Sequence, residues 1–135
     1  MKSLDELFNQ INFSTILTTG RTGSDYLQGC LDNVPGVLTF SGAIFYYSFC
    51  DNFKLNNFEK TEPVKILELF LEKNIHLFTY DSMDNKSVDL NITKFKENFN
   101  LIYDKKKLSR QKFLFAVYLA YHVTLGRKTD NIKVM

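Results

Sequence analysis

Residues 20–24 read Gly-Arg-Thr-Gly-Ser, and their types and spacing could do chemistry on an anion. Glycines let a backbone turn tightly and approach a ligand closely. The apolar, β-branched run of Phe13, Thr15, Ile16 and Leu17 leads into this turn as an expected strand over 13–18. A helical pattern begins at Ser24, with Tyr26, Leu27, Cys30 and Leu31 expected on one apolar face. Strand, glycine turn and helix in that order form a phosphate cradle. The first free N–H groups of the helix point at the anion, and the helix dipole adds partial positive charge. Arg21 adds a full charge on a planar fork that matches pairs of oxygens.

The common nucleotide loop, GxxxxGK[ST], is not present, because no Gly-Lys-Ser/Thr follows the turn. The segment resembles instead the 5′-phosphosulfate loop of the P-loop sulfotransferase superfamily. Its prokaryotic and carbohydrate-type branches often read G-R-[ST]-G-[ST] directly after the first strand. Here that motif is Gly20-Arg21-Thr22-Gly23-Ser24, followed by Leu27, Leu31, Asp32 and Pro35. The resemblance implies a P-loop NTPase-like α/β fold, a parallel sheet covered by helices. It implies that Gly20, Arg21, Thr22, Gly23, Ser24 and Asp25 hold the co-substrate 3′-phosphoadenosine-5′-phosphosulfate. It implies transfer of a sulfuryl group to a hydroxyl acceptor, a carbohydrate or a small metabolite, with no metal. Asp25 departs from the pattern, since relatives often carry a hydroxyl residue there. A carboxylate in the first helical turn suits the dipole; it either repels a bound phosphosulfate, points outward or pairs with Arg21.

The chain has 135 residues, 44% hydrophobic and 15% aromatic, which fits one domain with ample core and argues against disorder. A net charge of +2 gives no support to nucleic-acid or membrane-surface binding. Cys30 and Cys50 make neither a disulfide scaffold nor a metal pattern, and two buried thiols in a reducing cytoplasm are expected. The longest apolar stretch, 113–121, is far shorter than the ~20 residues a transmembrane helix needs.

The elements that would position the cradle follow from local signals. Ser3 with Glu6 is a capping box for a short helix carrying Leu4, Leu7, Phe8 and Ile11. Residues 37–40 read as a buried strand, and the aromatic run 43–49 as a helix. Pro63 starts a helix over 62–73, 81–89 is a polar loop, and 90–102 is helical. Ser109 opens the longest helix and Gly126 closes it. Residues 131–135 look like a strand entering the sheet. With only two or three strands visible, the chain reads as the first, incomplete part of a sulfotransferase-like domain.

The catalytic base is not identified. Relatives often place Glu or His after the second strand, where this chain has Ser41, Gly42, Ala43 and Ile44. His76 and His122 are the only imidazoles, and each reads as structural. In the family an Arg and a downstream Ser clasp the donor's 3′-phosphate, and residues 1–135 offer no candidate for them. Tyr46, Tyr47, Phe45 and Phe49 either line an acceptor pocket or are core. Lys105, Lys106, Lys107, Arg110 and Lys112 either meet an anion or are a solvated basic run. The alternative function is a non-catalytic binding module that keeps the cradle and has lost the chemistry. A kinase-like protein without the loop lysine ranks last.

Overall fold

The structure, a computed structural model, describes residues 3–15, 23–32, 34–40, 42, 44–52, 55–81, 86–103, 107–129 and 131–135. In chain order these form α1 (Leu4–Phe8), α2 (Ser24–Leu31), α3 (Tyr46–Asn52) and a 3₁₀ turn (Leu55–Lys60). Then come α4 (Pro63–Asn74), α5 (His76–Thr79), β1 (Tyr80–Asp81), β2 (Lys86–Ser87), α6 (Ile92–Tyr103) and α7 (Arg110–Thr124).

Local chemistry sets the helix ends. The Glu6 backbone N–H donates to Ser3 Oγ at 3.2 Å, and the Ser3 N–H donates to Glu6 Oε2 at 2.7 Å, a complete capping box. Pro63 occupies the first position of α4, where its missing N–H costs nothing. Ser109 accepts from the Lys112 N–H at 3.3 Å and opens α7. Gly126, at φ +71°, ends α7: its N–H reaches the Val123 carbonyl at 3.0 Å, and the Arg127 N–H reaches the His122 carbonyl at 2.9 Å. That pair of bonds is a Schellman motif, which satisfies carbonyls the helix leaves open.

The core is organised about α7. Phe113, Phe115, Ala116, Val117, Tyr118, Leu119, Ala120, Tyr121 and His122 are all buried, so consecutive positions on every side of the helix are covered. Phe113 lies among Phe58, Phe99 and Phe70, with ring centroids 5.3, 5.6 and 6.1 Å away. Phe40 packs on Tyr118 at 4.3 Å, and Phe78 on Phe95 at 5.2 Å. Lys112 ties α1 to α7 through Asp5 at 2.6 Å and lies over the Phe8 ring at 5.7 Å. Of the basic run, Lys105 and Lys106 lie outside the described residues, and Lys107 is exposed.

The expected P-loop-type parallel sheet is overturned by this arrangement. Among the described residues the one ladder is antiparallel, with Tyr80 opposite Ser87 and Asp81 opposite Lys86. It falls at and within the segment 81–89 that was expected as a loop. Residues 12, 37 and 134 meet only through two isolated parallel bridges, Asn12 with Val134 and Val37 with Val134. The Asn12 N–H donates to the Lys133 carbonyl at 2.8 Å, and the Leu38 N–H donates to the Val134 carbonyl at 2.9 Å. Residues 16–18 of the first expected strand lie outside the described residues. The physical reason is the identity of the central element. Leu38 and Phe40 are buried, but Phe40 lies against the rings of Tyr118 and Tyr121 on a helix. The described residues of 12–14 and 36–38 pair with 133–135 by a few bonds each, and the element at the centre of the core is a helix rather than a strand.

Phe113→Ala should lower the unfolding free energy by about 3–5 kcal/mol. Leu101→Ala, at a site 74% exposed on α6, should stay within about 0.5 kcal/mol of wild type. Urea unfolding of the two variants checks this, and equal losses would refute a core centred on α7.

Candidate functional site

Of the six expected site residues, Gly20, Arg21 and Thr22 lie outside the described residues. Gly23 adopts the left-handed conformation, φ +75° and ψ +17°, and stands as the N-cap of α2 with no side-chain cap. Few residues with a Cβ take that conformation, which accounts for glycine there. Its carbonyl accepts the Leu27 N–H at 2.9 Å, the first bond of the helix. Ser24 and Asp25 are the first residues of α2. A Cβ added at Gly23 would meet no described atom within 4 Å. The next N–H groups lie in the first helical turn, where they lack intrahelical partners.

The face of α2 that packs inward is not the expected apolar one. Tyr26 is 68% exposed, Leu27 is 50% exposed, and Cys30 is exposed as well. The expectation of two buried thiols is corrected accordingly, since only Cys50 is buried. Gln28 and Asp32, one helical turn apart, face the body together with buried Gly29, and of the expected apolar face Leu31 is half-buried. Gln28 Nε2 donates to Thr39 Oγ1 at 3.1 Å. Asp32, the C-cap of α2, takes both arms of Arg127: Nη1 donates to Oδ1, and Nη2 donates to Oδ2 at 3.1 Å. The Arg127 guanidinium also stands 5.4 Å from the centre of the Tyr121 ring.

His122 lies beside this pair and is 3% exposed. Its Nε2 lies 2.9 Å from the Thr39 carbonyl, which places the ring proton on that nitrogen; the Thr39 N–H is farther, at 3.4 Å. Burial holds its pKa below the ordinary histidine value, the Thr39 carbonyl opposes that shift, Arg127 adds to it and Asp32 opposes it. This imidazole is a packed, hydrogen-bonded group, as the sequence suggests. His76 is exposed at the start of α5.

The aromatic run divides in two. Tyr46 and Phe49 are buried, whereas Phe45 and Tyr47 are 77% and 73% exposed. The Tyr46 hydroxyl donates to the Arg110 carbonyl at 2.7 Å. Burial, with Cys50 adjacent, pushes the Tyr46 phenol far up, and burial raises the Cys50 thiol. A thiol held protonated is a poor nucleophile, so Cys50 is a packing residue. Ser41 and Ala43 lie outside the described residues.

The pH dependence of folding follows from His122. Its folded pKa is depressed below the unfolded value, so below about pH 6.5 the unfolded chain takes up a proton that the native state refuses. Stability from the neutral ring is full above that pH and is lost as pH falls toward the folded pKa. The urea midpoint should drop between about pH 7 and pH 5, and the drop should be smaller in His122→Gln. Parallel pH profiles for the two proteins would exclude His122 as the source.

Comparison with protein-family models, with curated proteins and with solved structures finds no match for this chain. Among the described residues, no helix is long and apolar enough to cross a membrane. No group of three His, Cys, Asp or Glu side chains that could hold a metal ion occurs among them either.

Proposed function

We propose that the turn before α2 holds the 5′-phosphosulfate of 3′-phosphoadenosine-5′-phosphosulfate, and that the protein serves sulfuryl transfer to a hydroxyl acceptor. The observation that carries this reading is Gly23. It is a left-handed glycine capping an eight-residue helix, directly after Gly20-Arg21-Thr22 in sequence. The reading rests on this turn and helix, not on a sheet. The acceptor oxygen forms a bond to sulfur while the sulfur–oxygen bond to the phosphate breaks, and the acceptor proton passes to a base. Helix N–H groups and Arg21 stabilise the charge that builds on the departing phosphate. Donor and acceptor meet in the cytoplasm on this reading, where exposed Cys30 and buried Cys50 remain thiols.

A second reading, a binding module without catalysis, is favoured by one specific observation. His122 is enclosed and engaged with Thr39, so it offers no free imidazole to an acceptor.

Calorimetric titration with the donor tests the first reading. Arg21→Ala should weaken binding by about 10- to 100-fold, the loss of one charge-assisted hydrogen bond of ~1.5–3 kcal/mol. Equal affinity in wild type and variant would count against it. Donor binding with no release of 3′-phosphoadenosine 5′-phosphate across a panel of sugar and phenol acceptors would favour the binding module.

A further inference from the structure

We infer that Arg127 is a positioning residue for the turn at Gly23, acting through its paired bonds to Asp32 at the other end of α2. The inference rests on the phosphosulfate reading for what the turn binds, and on the geometry alone for what the pair does.

Two polar contacts join helix α2 to the body, and Leu31 on it is half-buried. Tyr26, Leu27 and Cys30 face outward, and Gly29 contributes no side chain. Gln28 on Thr39 and Asp32 on Arg127 tie the helix to residues distant in sequence. An acidic residue at a helix C-terminus opposes the dipole, and α2 has no basic residue in its last turn to offset it. Asp32 is therefore placed against local preference, which the guanidinium offsets. The pair is also shielded: the Asp32 side chain is 6% exposed and that of Arg127 18%. Removing one partner of a shielded pair strands the other's charge.

Arg127 is itself fixed by α7. The Schellman turn at Gly126 binds its N–H to the His122 carbonyl at 2.9 Å, and the Tyr121 ring lies under its guanidinium. The pair thus joins the most deeply buried helix to the helix that opens with the candidate site. Eight helical residues span about 12 Å, so a tilt of about 10° at the C-cap moves the N-terminus by about 2 Å. Misplacement of that order is enough to cost binding and rate.

The test uses the intact chain and the nearly isosteric Asp32→Asn, with Arg127→Lys as the conservative variant that keeps the charge and loses the fork. Hydrogen exchange reads α2 against α6 and α7, and calorimetry reads donor affinity. Asp32→Asn should speed exchange of the Gln28 to Leu31 amides about tenfold, leave α6 and α7 unchanged and weaken the donor about tenfold. Arg127→Lys should fall between wild type and Asp32→Asn in both readouts. Unchanged exchange in α2 would overturn the inference, as would equal loosening of all three helices. Faster exchange with unchanged donor affinity would overturn the coupling of the pair to the site. Wild-type protein that binds no donor overturns the phosphosulfate reading, and the exchange data then decide the role of the pair alone.

Discussion

Burial of α7 around its circumference from Phe115 to His122 is the constraint on which the other elements depend. A helix that is apolar on every side must be covered on every side, and here each neighbour contributes part of the cover. Phe8 of α1 approaches Phe115 at 5.8 Å, Phe70 of α4 and Phe99 of α6 close on Phe113, and Phe40 lies over Tyr118 and Tyr121. Ring-on-ring contacts dominate, and pairs at these centroid distances prefer edge-to-face or tilted geometry. The large rings fill the spaces between short helices, which accounts for buried phenylalanines on so many separate elements.

The end of α7 carries this rigidity outward. Within one turn, His122 binds the Thr39 carbonyl, Gly126 reverses the chain, and Arg127 grips Asp32. Two polar contacts thereby fix the segment around Thr39 and the helix α2. Their strength depends on shielding, because charge-assisted bonds gain as water is excluded. The α2 end of α7 is held by directional bonds, and the core by non-directional packing.

That division explains what could be read in the sequence. Ser3 with Glu6, Pro63, Ser109 and Gly126 announce helix ends because a cap is a contact between residues a few positions apart. The orientation of α2 was not legible. Its apolar pattern pointed Tyr26 and Leu27 inward, but Gln28 and Asp32 decide the matter through Thr39 and Arg127, 11 and 95 positions away. The absence of a parallel sheet among the described residues is illegible in the sequence for a related reason. A short apolar run such as 37–40 looks the same whether it joins a ladder or lies extended against a buried helix. The start of α2 at Ser24 after Gly23 was legible from glycine and spacing, whereas Arg127 carried no local signal beyond following the glycine that ends α7.

The electrostatics of α2 bear on how an anion would be held there. Asp32 at the C-cap of α2 is paired with Arg127 at the opposite end from the turn and adds no attraction for a dianion. What remains is the dipole, at about 0.3–1 kcal/mol, and Arg21, at about 1.5–3 kcal/mol for one charge-assisted bond. Their sum, about 2–4 kcal/mol, corresponds to millimolar affinity or weaker. A free sulfate or phosphate ion would be held no better than that. Selective, tight binding of a nucleotide donor therefore needs contacts to its adenosine and 3′-phosphate in addition to this turn. On the proposed reading the turn would orient the phosphosulfate, and the rest of the nucleotide would supply the binding energy that keeps it there.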